Sequence, residues 1–98
     1  MNTLNRQETS NNRGAQYGPF SEMARLAQTL KAALITNDMS DVQKESLQLI
    51  CTKLARIRCG NPNNVDSWFD IAGYANLVVE DLNDPKVKGL GDLTRAQR

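Results

Sequence analysis

From Ser21 to Leu82 the apolar residues of this chain recur three or four positions apart and nowhere alternate over any length. A period near 3.6 lines one face of a helix, whereas a half-buried strand needs a period of two. Three such stretches occur, separated by turn residues, so the pattern predicts an all-α fold. Met23, Leu26, Ala27, Leu30 and Leu34 make the first stripe, with Ser21 at the N-cap position and Thr36-Asn37-Asp38 as its end. Ser40-Asp41-Val42-Gln43 has the spacing of a capping box, in which the serine and glutamine side chains each accept a backbone amide proton from the other residue. A second stripe follows: Leu47, Ile50, Cys51 and Leu54, with Ile57 at its edge and Gly60 as a left-handed C-terminal cap. After the turn Asn61-Pro62-Asn63, a third helix runs from about Asn64 to a stop at Pro85. Its core face is Trp68, Ile71, Ala72, Ala75, Val78, Val79 and Leu82, and Asp66 and Asp70 near its start suit the positive end of the helix dipole.

Three amphipathic helices with short connections predict a small three-helix bundle. The chain of 98 residues divides into a flexible N-terminal arm or lid over 1–20, a helical domain over 21–83 and a polar C-terminal tail over 84–98. A chain of this size buries only about 60–65% of its unfolded surface, so association adds to its stability. Leu49 points nearly opposite Leu54, and Phe69 and Leu77 point away from the Trp68 stripe. One core cannot take up these second faces, which predicts assembly into a compact homo-oligomer.

Lys plus Arg number 12 against 11 for Asp plus Glu, a net charge of +1. That balance excludes a protein that coats long nucleic acid. No apolar run approaches the roughly 20 residues of a membrane span, and Met1-Asn2-Thr3-Leu4-Asn5-Arg6 lacks the apolar core of a signal peptide, so a cytoplasmic protein is expected. The sequence has no histidine, which removes Ser-His and Cys-His catalysis and every histidine-ligated metal site. Its two cysteines, Cys51 and Cys59, cannot close a zinc site. On one helix they stand about 12 Å apart, too far for a disulfide, so both read as reduced thiols. Helical enzymes that hydrolyse nucleoside triphosphates hold magnesium with carboxylate pairs on at least two helices. Here only Asp66 and Asp70 make such a pair. The reading is therefore no catalytic residue, no metal and no cofactor.

Anion binding is better supported. Lys53 and Arg56 stand one turn apart on the second helix and reach one phosphate together, with Arg58 close by; Arg25 and Lys31 project from the flanks of the first helix. The arm contributes Arg13-Gly14-Ala15-Gln16-Tyr17-Gly18-Pro19-Phe20, an aromatic ring between glycines beside a cation. Tyr17 either offers a face on which a base stacks or staples the arm onto the bundle, Arg13 offers a charge for a phosphate, and Phe20 is placed to staple the arm onto the first helix. Few cations and a stacking ring suit a small nucleotide rather than a long strand.

Two segments carry a resemblance: the arm from Arg13 to Phe20, and Glu45 through Lys53-Leu54-Ala55-Arg56-Ile57 and Gly60-Asn61-Pro62 to Asp70-Ile71-Ala72-Gly73-Tyr74-Ala75. The combination, over roughly residues 13 to 82, resembles a family of short phage proteins that includes the anti-CBASS cyclic-oligonucleotide sponges. The resemblance implies small helical proteins that assemble as hexamers in the cytoplasm of the infected bacterium. It implies that they bind cyclic dinucleotides and cyclic trinucleotides of the host's immune signalling and sequester them without cleavage. An arm tyrosine that stacks on a base and a lysine of the next helix that serves the phosphates fall on Tyr17 and Lys31. The arginine of the trinucleotide site falls on Arg56, with Lys53 and Arg58 nearby. Two other functions compete with this one: a helical nucleotide pyrophosphohydrolase-like enzyme working through Asp66 and Asp70, and a host-protein interaction module using Leu49, Phe69 and Leu77.

Overall fold

A computed structural model describes residues 18–86. Within them the chain forms α1 (Phe20–Leu34), α2 (Asp41–Cys59) and α3 (Val65–Asn83), with no strand among the described residues. The fold is the small all-α bundle that the periodicity predicts.

The caps show why the helices begin where they do. Ser40 and Gln43 form the complete capping box at the start of α2: the Gln43 amide donates to Ser40 Oγ at 3.1 Å and the Ser40 amide to Gln43 Oε1 at 2.9 Å. Asn64 caps α3, its side chain accepting from the Asp66 amide at 3.0 Å. Two local expectations are corrected. The N-cap of α1 is Pro19, not Ser21, and no side chain caps it. Proline fixes its own φ near −65° and stands readily at a helix start, so the chain turns helical before the serine is reached. Gly60 is the C-cap of α2 but sits at φ −121°, outside the left-handed region; among the described residues the glycine that takes a positive φ is Gly18, at 80°.

α1 and α2 form an antiparallel pair. Met23 and Ala27 of α1 pack with Ala55 of α2, and Leu26 and Cys59 close over them. Gly18 lies against the backbone of Cys59. α2 and α3 also run antiparallel: Lys53 Nζ meets Asp70 Oδ2 at 2.8 Å, and the start of α2 shares a groove with Leu77 and Asp81 near the end of α3. Both outer helices pack on α2 and not on each other. At 3.6 residues per turn, Cys51, Ala55 and Cys59 look toward α1, whereas Ser46 and Lys53 look roughly the opposite way, toward α3. The three helices therefore lie side by side with α2 in the middle, an open layer rather than a bundle closed around one axis.

This order explains the thin interior. Met23, Ala27, Cys51 and Ala55 are the buried apolar residues among those described, and Ser46 and Ser67 the buried polar ones. Small side chains on both seams let the helix backbones approach closely. The expected core face of α3 is split as a result. Ile71 and Val78 are half-buried on the α2 side, in line with buried Ser67, but Trp68, Ala72, Ala75 and Val79 are exposed. The apolar arc of α3 is wider than one neighbouring helix covers, and α1 does not come round to cover the rest. Leu49 is half-buried, because α2 has a neighbour on each side, while Phe69 (74% exposed) and Leu77 (53%) face outward as expected. Phe20 is also exposed and makes no staple.

Candidate ligand-binding site

Of the seven residues that the sequence nominates for ligand binding, Arg13 and Tyr17 lie outside the described residues; the other five are on α1 and α2. The helices do not gather these five in one place. Arg25 is exposed on α1, about half a turn away from the line Met23–Ala27 that meets α2. Lys31 is half-buried further along α1, close enough to α2 for its charge to act on the Cys51 thiol. Burial pushes that thiol's pKa up, and the Lys31 ammonium pulls it partly back. Both cysteines are free, as expected.

Lys53 is on the other side of α2, paired with Asp70 across the α2–α3 seam. The two side chains are only 15% and 35% exposed, so the pair is partly withdrawn from water, and a phosphate approaching Lys53 meets a carboxylate already in place. The same contact separates the two acids of α3: Asp70 turns to Lys53, and Asp66 stays exposed in the first turn. Among the described residues no group of three or more acidic or cysteine side chains is placed to hold a metal ion.

Arg56 and Arg58 define the most promising end of the molecule. They stand in the last turn of α2, where their charge complements the negative end of the helix. Because the layer is antiparallel, the N-termini of α1 and α3 are at this same end. Pro19 leaves the first amides of α1 without a side-chain cap, and such amides accept anions. Gly18 is seated here, against Cys59 at the end of α2. A Cβ at this position would lie 2.1 Å from the Cys59 carbonyl oxygen, so only glycine fits. The Trp68 indole, half-exposed at the start of α3, donates from Nε1 to the Pro62 carbonyl at 2.7 Å and braces the α2–α3 turn beside this end.

The two residues that sequence reasoning missed are Gly18, as an anchor, and Asp70, as the partner of Lys53. Gly18 could have been suspected from its place between an aromatic residue and a proline ahead of a helix. The Lys53–Asp70 pair needs the register of α2 on α3, which no local pattern contains. Among the described residues, an apolar groove of about 280 Å³ is lined by Met39, Gln43, Leu47, Ile50 and Val78, none of them a nominated residue.

No curated protein and no solved structure matches this chain. A family model does match, over residues 4–81, and its description is a domain of unknown function, DUF6378. With most of its length inside that match, the chain belongs to the DUF6378 family.

Proposed function

We propose that this protein is a phage anti-defence sponge: a homo-oligomer, on the resemblance a hexamer, that acts in the cytoplasm of the infected cell. It binds cyclic di- and trinucleotide messengers and withholds them from their effector without cleaving them. The observation that carries the reading is the seat of Gly18 on Cys59. It sets Gly18 at the end of α2 that bears Arg56 and Arg58, next to the uncapped start of α1, and in this reading Arg13 and Tyr17, which precede it in the chain, act there. A stacking ring, guanidinium groups and free amides are the parts that a small cyclic nucleotide needs. Charge-assisted hydrogen bonds contribute roughly 1.5–3 kcal/mol each and a stacked base roughly 1–3 kcal/mol. Supplied twice across a two-fold interface, they support a dissociation constant near nanomolar, which corresponds to about −12 kcal/mol. In this reading Lys31 serves a phosphate further along α1, and Lys53 holds α3 in place through Asp70.

The test is titration calorimetry with a panel of cyclic di- and trinucleotides in metal-free buffer, followed by chromatography of the ligand released on denaturation. Tight binding and intact ligand are expected, with affinity falling at least tenfold in Tyr17→Ala and Arg56→Ala. Absence of binding across the panel refutes the proposal. Linear product that requires a divalent metal and disappears in Asp66→Asn replaces it with the pyrophosphohydrolase reading.

A further inference from the structure

The residues that α3 turns outward are not scattered. Val65, Trp68, Ala72, Ala75 and Val79 are all exposed and are spaced three, four, three and four apart. This is the spacing of a coiled-coil seam. At about 100° per residue they form one stripe, roughly 110° round the helix from the line Ser67–Ile71–Tyr74–Val78 that meets α2. The four acids of α3, Asp66, Asp70, Glu80 and Asp81, all point at least about 100° away from the stripe, and α3 has no basic residue. The seam is therefore apolar and uncharged although the helix is acidic.

From this pattern we infer that the exposed face of α3 is a two-fold interface with the α3 of a second copy of the chain, the helices antiparallel and crossing at Ala72 and Ala75. The occupant follows from the internal symmetry of the stripe. Trp68 lies four residues before Ala72, and Val79 four residues after Ala75. A two-fold axis between the alanines sets Trp68 against Val79 of the partner subunit and alanine against alanine. Bulky ends and a small centre let two helices approach closely where they cross. Antiparallel dipoles attract, and the acids of both helices stay off the contact.

The area is sufficient. Val65 is 74% exposed, Trp68 52% and Val79 52%. Taking an aromatic side chain as roughly 150–250 Å², and counting the alanines and Phe69 at the edge, the strip offers roughly 500 Å² per chain, which reaches the ~1,000 Å² in total of a specific interface. The inference rests on the homo-oligomer of the proposed function and names one of its contacts. A chain that pairs through α3 and binds no nucleotide separates the two.

Sedimentation velocity of the full chain over a wide concentration range tests it, with Ala72→Glu as the variant. Ala72 is exposed in the single chain and glutamate is a good helix former, so the circular dichroism stays unchanged. Each introduced carboxylate would be driven into a dry contact against Ala75 of the partner subunit with no cation on either helix to pair it, which raises the dissociation constant roughly a hundredfold or more. Leu77→Gln, equally exposed but off the seam, leaves association unchanged. Orientation is read in a Cys59→Ser background: Ala72→Cys mixed with Ala75→Cys yields a disulfide-linked dimer on mild oxidation, and either variant alone yields much less. A wild-type chain that stays monomeric, an Ala72→Glu variant that associates normally, or Ala72→Cys linking to itself in preference each overturns the inference.

Discussion

Replacing Gly18 by alanine tests how firmly this residue is seated on the helical layer. Two costs combine. Gly18 sits at φ 80°, where a side chain costs roughly 1–2 kcal/mol relative to glycine. The added methyl would also stand 2.1 Å from the Cys59 carbonyl oxygen and 2.5 Å from its carbonyl carbon. These are backbone atoms in the last turn of α2, and they cannot rotate aside. Overfilling a tight contact costs roughly 1–3 kcal/mol. The chain has two ways to respond. It keeps the contact and loses about 2–5 kcal/mol of stability, which lowers the melting temperature by roughly 10–40 °C for a domain of this size. Otherwise it lifts residue 18 from α2, and the Cys59 side chain, which Gly18 also covers, becomes open to solvent. Thermal denaturation reads the first response and the rate of Cys59 labelling by a thiol reagent reads the second. At least one must change. If the melting temperature and the labelling rate both match the parent, Gly18 is not seated on α2, and the argument that places a ligand at that end fails with it.

Gly73→Ala is expected to act in the opposite sense: no atom lies within 4 Å of the new methyl, so thermal unfolding should show a gain of about 0.5–1 kcal/mol from helix propensity. Lys53→Met leaves Asp70 partly buried without its partner; chemical denaturation should show a loss of roughly 1–2 kcal/mol, and a double-mutant cycle with Asp70→Asn should recover most of it as coupling. Cys59 should react with a thiol reagent well before Cys51, which is buried. Because the folded pKa of Cys51 is raised, its contribution to stability is complete below the ordinary thiol pKa and is lost as the pH rises through the raised value; Lys31→Met shifts that loss to still higher pH without moving the Cys59 rate. The last turn of α3 holds Glu80 and Asp81 and no base, so Asn83→Lys should raise the melting temperature by the equivalent of about 0.3–1 kcal/mol.

The signals that the sequence states clearly are those that involve a few adjacent residues. The box at Ser40 and Gln43, the start of the third helix near Asn64 and the stop before Pro85 depend on local hydrogen bonds and a fixed proline ring, and the structure has all three. The start of α1 misled because Pro19 and Ser21 are both good starting residues and only the chain's path past Gly18 chooses between them. The faces of α3 misled for a different reason. Periodicity measures how wide an apolar arc is, not which neighbour lies on it. Trp68, Ala72, Ala75 and Val79 match a core stripe as well as Ile71 and Val78 do, until the order α1–α2–α3 leaves them outside. The candidate site divides in the same way. Lys53 and Arg56 are neighbours on one helix, but only the packing of α3 shows that Lys53 already faces a carboxylate.

The middle position of α2 has a consequence for how the domain comes apart. With no contact between α1 and α3, the layer behaves as a linear array in which each outer helix depends on one neighbour. Either can open and re-form while the remaining antiparallel pair persists, so hydrogen exchange should grade from slow amides in the centre of α2 to faster ones on both sides. Among the described residues, an influence of the Gly18 end on α3 travels across α2, through Cys51 and Ala55 on one of its sides and Ser46 and Lys53 on the other.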